Sequence, residues 1–205
     1  MIEFFFDCSS PWTYLAFHNL QPMARELGVE VRWRPILVGG IFNSVNPSVY
    51  EFRTRGVPAK QAYQLKDLQD WARKAVLTIR FPPAVFPVNS VKAMRGCLLL
   101  ETEGKLVPFA SEVFAAYWTH GRDISQDEVL ADLCTHVGVE PQTFFEGIAR
   151  PETKARLKAN TDEVIARGGF GSPTMFVGGD DMYFGNDRLE LVRDAVLRRQ
   201  AARVS

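Results

Sequence analysis

The chain has 205 residues, and its 24 Lys and Arg balance its 24 Asp and Glu, so the formal net charge is zero. A hydrophobic fraction of 46% excludes an intrinsically disordered chain. A neutral chain lacks the basic surface of non-specific nucleic-acid binders, so we expect no nucleic-acid partner. No run reaches the roughly 18 apolar residues of a membrane span. Glu3 and Asp7 fall where a signal peptide would be basic and then apolar. We therefore expect a cytoplasmic protein that does not contact membranes.

The cysteines and histidines exclude two classes of site. They are too few and too scattered for a disulfide framework, they form no CxxC pair, and none has the spacing of metal ligands. We therefore expect no metal. The residues are Cys8, Cys97, Cys134, His18, His120 and His136.

The first 35 residues have a β-α-β pattern. Residues 2–6 are short and apolar, as in a buried strand. Ser10 followed by Pro11 is typical of a helix N-cap with proline at the first helical position. Gly28 ends the helix, and apolar and charged residues then alternate over 29–34, which predicts a second strand.

A long helical region and a β-β-α end follow. Residues 174–177 and 182–184 predict a hairpin around the turn 178–181, and Gly185, Asn186 and Asp187 predict the cap of a last helix. Ser125 to Glu128 has the pattern of a capping box. The helices predicted in the middle cover 58–77, 90–104, 107–120, 125–138, 141–149 and 151–167.

This order predicts an α/β protein of thioredoxin-like fold with an inserted all-helical subdomain. The thioredoxin-like domain would be discontinuous, made of residues 1–45 plus 169–205, and the insertion would cover residues 46–168. Periodicity alone leaves a plain α/β domain with extra helices as an alternative.

Ser10 is the first candidate for chemistry. A helix N-terminus offers free N–H groups and a positive dipole end, so it could stabilise an anion such as a thiolate. The alternative is that Ser10 only caps the helix. In a thioredoxin-like fold the redox motif CxxC would stand at 10–13, where this chain has Ser-Pro-Trp-Thr. Thiol–disulfide exchange needs a thiolate, so this stretch cannot perform it alone. Cys8 is either a small buried apolar residue or a neighbour of the site.

Two later segments are also candidates. Thioredoxin-like sheets place a cis proline where Pro173 stands, and a peptide could then lie along the backbone of Ser172. The alternative is an ordinary strand entry. At the last helix, Asp187 could bind an ammonium group while the N–H groups bind a carboxylate. The alternative there is a simple helix cap.

Five segments together resemble a known family, the 2-hydroxychromene-2-carboxylate isomerases. These are relatives of the kappa-class glutathione transferases in the DsbA-like branch of the thioredoxin fold, and the resemblance covers essentially the whole chain. The segments are 4–16 (FFFDCSSPWTYLA), 34–46 (RPILVGGIFNSVN), 59–68 (AKQAYQLKDL), 169–177 (GFGSPTMFV) and 184–190 (FGNDRLE).

The resemblance implies a glutathione site. Ser10 matches the catalytic serine that hydrogen-bonds the glutathione sulfur, and Ser172, before Pro173, matches the residue whose backbone pairs with the cysteinyl part. The remaining residues match as a group: Asn186 and Asp187 at the γ-glutamyl end, Asn46 and Lys60 at the glycyl end, and Trp12 and Asn89 near the substrate. Alternatives remain for Lys60 as a solvated helix lysine, Asn89 as a helix cap and Trp12 as a core residue. Because Ser9 and Cys8 precede Ser10, which serine faces the sulfur also remains open.

The resemblance implies a glutathione-dependent isomerase that acts on a small aromatic substrate. It would interconvert 2-hydroxychromene-2-carboxylate and trans-o-hydroxybenzylidenepyruvate by reversible thiolate addition, and its relatives suggest a homodimer. A kappa-type transferase that conjugates glutathione to electrophiles shares every glutathione residue. A non-catalytic glutathione- or peptide-binding module is a third alternative, and the missing CxxC disfavours a disulfide oxidoreductase.

Overall fold

The computed structural model describes residues 1–202, without the side chains of Arg53 and Thr54, so residues 203–205 of the predicted segment 169–205 lie outside the described residues. The strands are β1 (Ile2–Phe6), β2 (Val31–Pro35), β3 (Thr174–Val177) and β4 (Asp181–Phe184). The helices are α1 (Pro11–Glu26), α2 (Val38–Val45), α3 (Ser48–Arg55), α4 (Pro58–Lys74), α5 (Val91–Leu99), α6 (Leu106–Phe114), α7 (Asp127–His136), α8 (Pro141–Ala149), α9 (Pro151–Ala166) and α10 (Leu189–Ala201). No helix in this part of the chain is long and apolar enough to cross a membrane.

The four strands form one mixed sheet in the order β2-β1-β3-β4. β1 runs parallel to β2 and antiparallel to β3, and β3 pairs with β4 as a hairpin. The register places Phe4 beside Trp33 on one side and Met175 on the other. The predicted thioredoxin-like α/β fold is therefore confirmed.

The two faces of β1 bury different kinds of neighbours, because successive side chains of a strand point to opposite faces. Phe4 and Phe6 lie in the main core, where both rings pack near Phe17 of α1. Phe5 packs on the other face against Phe176. Glu3 shares that second face and forms an ion pair with Arg167 at 2.8 Å. The strand thus joins the two layers of helices and brings its end, residue 7, to the centre of the molecule.

Helix α9 contacts the sheet although it lies in the predicted insertion. The side-chain amide of Asn160 donates to the carbonyl of Pro35, and Thr161 Oγ1 accepts from the backbone N–H of Leu37 at 3.0 Å. The domain boundaries at residues 46 and 169 stay a prediction.

Several predicted helix limits are wrong. Helices α2 and α3 were not predicted, and the segment predicted as 107–120 ends as an α-helix at Phe114 and continues as a π-helix over Ala115–Thr119. The segment predicted as 90–104 is helical only over Val91–Leu99, after which a turn leads to Gly104 with φ 68°.

Two predicted caps are also wrong in detail. Helix α7 begins at Asp127 with Gln126 as its N-cap and no side-chain capping bond, because the N–H of Ser125 is bonded to the carboxylate of Asp123. The last helix begins only at Leu189, since a 3₁₀ turn over Asn186–Arg188 comes first.

Candidate active site

Ser10 stands at the head of α1 as predicted. Its backbone is extended, with φ −111° and ψ 124°, and its Oγ accepts a hydrogen bond from the N–H of Thr13 at 3.3 Å. Pro11 is the first helical residue, where its missing N–H costs the helix nothing. The Ser10 side chain is half-buried, so the hydroxyl is held by the helix and is also reachable from one side.

The loop before β3 lies opposite Ser10. The Ser172–Pro173 bond is cis, as the sequence predicts for a thioredoxin-like sheet. The Ser10 hydroxyl donates to the carbonyl oxygen of Ser172 across 3.4 Å. This is longer than the 2.5–3.0 Å of an ordinary O–H···O bond, so the contact is weak. The hydroxyl proton can therefore turn to a stronger acceptor at little cost.

The Ser172 side chain also holds this loop in place, through hydrogen bonds to Asp7, which follows β1, and to Thr13 of α1. Its Oγ accepts from the N–H of Asp7 at 3.0 Å and lies 2.8 Å from Oγ1 of Thr13, which is fully buried. The proline loop is thus bonded both to the end of β1 and to the first turn of α1.

The turn between β1 and α1 is held at its backbone groups. The N–H of Cys8 donates to Sδ of Met94 at 3.3 Å, and the carbonyl of Cys8 accepts from the indole N–H of Trp118 at 2.9 Å. The N–H of Ser10 donates to the carbonyl of Asp7. Trp118 is fully buried in the π-helix, and such π-helical turns are frequently found at functional sites. Trp118 was not a predicted site residue, because only the fold brings it next to Cys8.

The structure argues against a chemical role for the Cys8 thiol. The side chain is fully buried, and burial raises its pKa well above the ordinary value, with the Cys97 thiol as a further cause. Because the thiolate is the reactive form of cysteine, we expect Cys8 to be unreactive at neutral pH. Of the two predicted roles for Cys8, the structure favours the small buried apolar residue.

A third segment joins the same loop. The N–H of Gly185 donates to the carbonyl of Pro173 at 3.1 Å, which places the 3₁₀ turn Asn186–Arg188 beside the cis proline. Gly185 has φ 100°, a backbone conformation that residues other than glycine rarely adopt. Within this turn Asp187 is exposed and forms an ion pair with its neighbour Arg188.

Asn186 is the unusual residue of this turn. Only 3% of it is exposed, and neither its side-chain oxygen nor its side-chain nitrogen has a hydrogen-bond partner among the described residues. A buried amide without partners costs about 1–3 kcal/mol, so such groups need an explanation. A polar ligand that reaches this turn would supply the missing partners.

Asn46 borders the site at the end of α2. Its side-chain nitrogen donates to the carbonyl of Phe170 at 3.0 Å, and its side-chain oxygen accepts from the hydroxyl of Ser48 at 2.8 Å. Both polar atoms therefore have partners within the chain, and the amide ties α2 to the segment that leads into the cis proline.

The other predicted residues lie farther out. Lys60 is exposed on α4 beside a shallow groove of about 430 Å³, and no hydrogen bond or ion pair between residues 1 and 202 joins it to the loops around Ser10. The Asn89 side chain accepts from the N–H of Val91, the first residue of α5, at 3.0 Å, while Ser90 stands at the N-cap position of that helix. Trp12 is half-buried and packs against the main core. The substrate role of Trp12 and Asn89 and the glycyl role of Lys60 and Asn46 stay predictions.

The assembled site is suited to a small anionic ligand with several polar groups. It combines the N-terminus of α1, a serine hydroxyl, the backbone of a cis-proline loop and a second turn with an unpartnered amide. Among residues 1–202, no three His, Cys, Asp or Glu side chains are arranged to hold a metal ion.

Comparison with known proteins settles the family. The DSBA-like thioredoxin domain matches residues 1–197 of the chain. A 2-hydroxychromene-2-carboxylate isomerase of Pseudomonas sp. (strain C18) is 30% identical over 96% of this chain and 90% of its own. The chain belongs to the 2-hydroxychromene-2-carboxylate isomerase family. A solved structure of such an isomerase covers 100% of this chain and 98% of its own, with 30% identity and a TM-score of 0.84.

One more distant protein sequence and one solved structure of the same fold are also similar to this chain. Human glutathione S-transferase kappa 1 is 27% identical over 93% of this chain and 88% of its own. A cytosolic disulfide reductase from Pseudomonas aeruginosa, solved with glutathione, is 17% identical with a TM-score of 0.64, covers 100% of this chain and 99% of its own, and shares the fold. The chain is thus related over its whole length to proteins named as isomerases and as transferases.

Proposed function

We propose that this protein is a glutathione-dependent isomerase that interconverts 2-hydroxychromene-2-carboxylate and trans-o-hydroxybenzylidenepyruvate. The observation that carries the proposal is the Ser10 hydroxyl at the head of α1, 3.4 Å from the Ser172 carbonyl, where a redox protein of this fold would have cysteine. The full-length isomerase relatives at 30% identity support the choice of reaction.

The described residues fit glutathione as the cofactor. The orphaned amide of Asn186 and the exposed carboxylate of Asp187 offer hydrogen-bonding and charged partners to an amino-acid end, which the γ-glutamyl group of glutathione carries. The backbone of Ser172 beside cis Pro173 offers a strand-like edge to the cysteinyl part. In this arrangement the sulfur would lie at the N-terminus of α1, near Ser10.

Bound glutathione would supply a thiolate that adds reversibly to the double bond conjugated with the substrate's ketone, so that this bond can rotate before the thiolate leaves. The task of Ser10 is to favour that anion. Its weak bond to Ser172 can be exchanged for a charge-assisted bond to sulfur, since charge-assisted hydrogen bonds are the stronger class. The α1 N-terminus adds its positive dipole end.

Rigidity is the second contribution of the chain. The turn 8–10 is fixed through Met94 and Trp118, and the proline loop through Thr13. A hydroxyl and helix N-terminus held in place before the reaction need no reorganisation during it. We infer that Asn46 serves the site indirectly, by holding the carbonyl of Phe170.

The glutathione part is tested by ultraviolet difference absorbance, which detects the thiolate of bound glutathione. We expect wild-type protein to lower the thiol pKa of bound glutathione below the value of about 8.5 that is ordinary for a free thiol, and Ser10→Ala to lose most of that shift. Absence of glutathione binding to the wild type would refute the proposal.

A kappa-type transferase is the second candidate, favoured by the full-length match to human glutathione S-transferase kappa 1. The two activities differ in whether glutathione is consumed. Free thiol titrated during turnover stays constant for an isomerase and falls with each product formed by a transferase.

The proposal also includes a homodimer in the cytoplasm, as the family resemblance implies. Analytical ultracentrifugation would show a species of twice the 23.1 kDa chain mass. A monomer at all concentrations would refute this part and leave the proposed chemistry intact.

A further inference from the structure

Asp7 is a carboxylate buried directly beneath the proposed glutathione site. It follows β1 and precedes Ser10 by three residues, and only 1% of it is exposed. No Lys, Arg or His forms an ion pair with it among the described residues. A buried acid without a cationic partner is unusual, because burial penalises the charged form, and its hydrogen bonds must compensate for the lost hydration.

The two carboxylate oxygens of Asp7 bind the starts of different segments. Oδ1 accepts from the N–H of Ser9 at 2.9 Å, in the turn that carries Ser10. Oδ2 accepts from the N–H of Val38 at 2.8 Å, the first residue of α2. One side chain therefore joins the turn before α1 to the head of α2.

The backbone groups of Asp7 also form hydrogen bonds to residues of the same site. Its N–H donates to Oγ of Ser172, and its carbonyl accepts from the N–H of Ser10 at 3.3 Å. Every polar group of Asp7 thus bonds a segment that carries or supports the candidate site. Removing an ordinary buried acid would weaken the fold; removing this one would also release the turn of Ser10 and the head of α2.

We propose that Asp7 is a positioning residue, whose carboxylate fixes the Ser10 turn and the start of α2 so that Ser10 and the head of α1 can stabilise the glutathione thiolate. This inference rests on the proposed function. Asp7 acts through Ser9, Ser10 and Val38, and it need not touch glutathione itself.

The variant Asp7→Asn distinguishes a positioning role from a purely electrostatic one. The two roles predict shifts of opposite sign in the thiol pKa of bound glutathione. An asparagine keeps the size of the side chain but turns one acceptor into an NH₂ group, which meets the N–H of either Ser9 or Val38. If Asp7 positions Ser10, the thiol pKa of bound glutathione rises by about one unit, which is tenfold less thiolate stabilisation. If Asp7 acted only as a nearby negative charge, its removal would lower that pKa.

Glu3→Gln is the matched control. Glu3 is the buried acid within β1, four residues before Asp7, and its ion pairs with Arg34 and Arg167 involve no residue of the site. We expect both variants to lose thermal stability, while only Asp7→Asn shifts the thiol pKa and reduces kcat/KM, by about 100-fold.

Val38→Pro keeps the test decisive if Asp7→Asn fails to fold. It removes one N–H donor and leaves the carboxylate, at the first position of a helix, where proline is tolerated. We expect the thiol pKa of bound glutathione to rise in this variant too, by less than in Asp7→Asn. An unchanged or lowered thiol pKa in the variants that fold would overturn the inference, and so would a wild type that binds glutathione without lowering its thiol pKa. Failure of wild type to bind glutathione at all would refute the proposed function together with the inference.

Discussion

The Ser10 hydroxyl and the Ser172 carbonyl oxygen lie 3.4 Å apart although 162 positions separate the residues in the chain. The contact exists because β1 and β3 are neighbours in the sheet, so the head of α1 and the cis-proline loop leave it at the same edge. In a redox protein of this fold, a thiol would stand where Ser10 stands. Here the same geometry is available to hold a thiolate that comes from a ligand.

Ser10→Ala should lower turnover by about 100-fold, the typical effect of removing one donor that stabilises a reacting anion. It should also cost about 1 kcal/mol in the free energy of unfolding, because Ser10 caps α1. Glu140→Ala is the control, since Glu140 caps α8 through the N–H of Thr143, on a helix that packs against α5, α7 and α9. It should lose similar stability and no turnover. Unchanged turnover in Ser10→Ala would move the role to Ser9 or Cys8, or remove the serine mechanism.

Asn186→Leu should weaken glutathione binding by about tenfold or more, because a hydrogen bond to a charged group contributes about 1.5–3 kcal/mol. The free protein should be as stable as wild type or more stable, since the replaced amide has no partner to lose. Isothermal titration and urea unfolding measure the two effects.

Asn160→Leu is the comparison for Asn186, because the Asn160 amide is bonded to the carbonyl of Pro35. This variant should lose about 1 kcal/mol of stability and keep its affinity for glutathione. A loss of stability in Asn186→Leu together with unchanged affinity would show that Asn186 is an ordinary structural residue.

The cysteines should be unreactive in the folded protein. All three are buried, and burial raises the pKa of Cys8 well above its ordinary value and that of Cys134 to about 12. A disulfide reagent at neutral pH should therefore label none of them until the protein is unfolded, and then label all three. Insulin reduction that disappears in Cys8→Ser would contradict this and revive a disulfide oxidoreductase.

Asp7 should make stability fall as the pH rises. Burial raises its pKa above the ordinary 3.8, although the bonds from Ser9 and Val38 oppose the shift. The folded protein then holds the proton more tightly than the unfolded chain, so the stabilising contribution is complete below pH 3.8 and is lost as the pH rises through the folded pKa. Urea unfolding, measured at a series of pH values from below 3.8 upward, should show the free energy of unfolding of wild type falling relative to that of Asp7→Asn. A difference that does not change with pH would contradict the raised pKa.

The parts of the fold that were predicted correctly depend on short-range signals. Ser10-Pro11 marks a helix start and Gly28 a helix end, and both act through backbone geometry within a few residues. The missed helix α2 contains Gly39 and Gly40, which weaken the helical pattern, and it is stabilised by contacts such as that between Val38 and Asp7. The capping box at Ser125 failed because Asp123, outside the motif, bonds its N–H first.

The structure brings Ser10 next to Ser172 and places the turn of Asn186 beside the same loop, while the roles of these residues stay predictions. The side chains that support them were not predicted. Asp7 and Trp118 were not predicted, because each acts through a hydrogen bond to a residue far away in the chain. Asp7 bonds Val38, and Trp118 bonds Cys8. One signal was present: a charged residue directly after an apolar strand and before a helix start, where burial demands partners.

The proposed glutathione-dependent isomerase is tested most directly by the absorbance change of 2-hydroxychromene-2-carboxylate with the protein, measured with and without glutathione while free thiol is titrated. We expect isomerisation that requires glutathione and leaves the thiol concentration constant. Isomerisation that proceeds equally without glutathione, or thiol consumed in step with the absorbance change, would contradict the proposal.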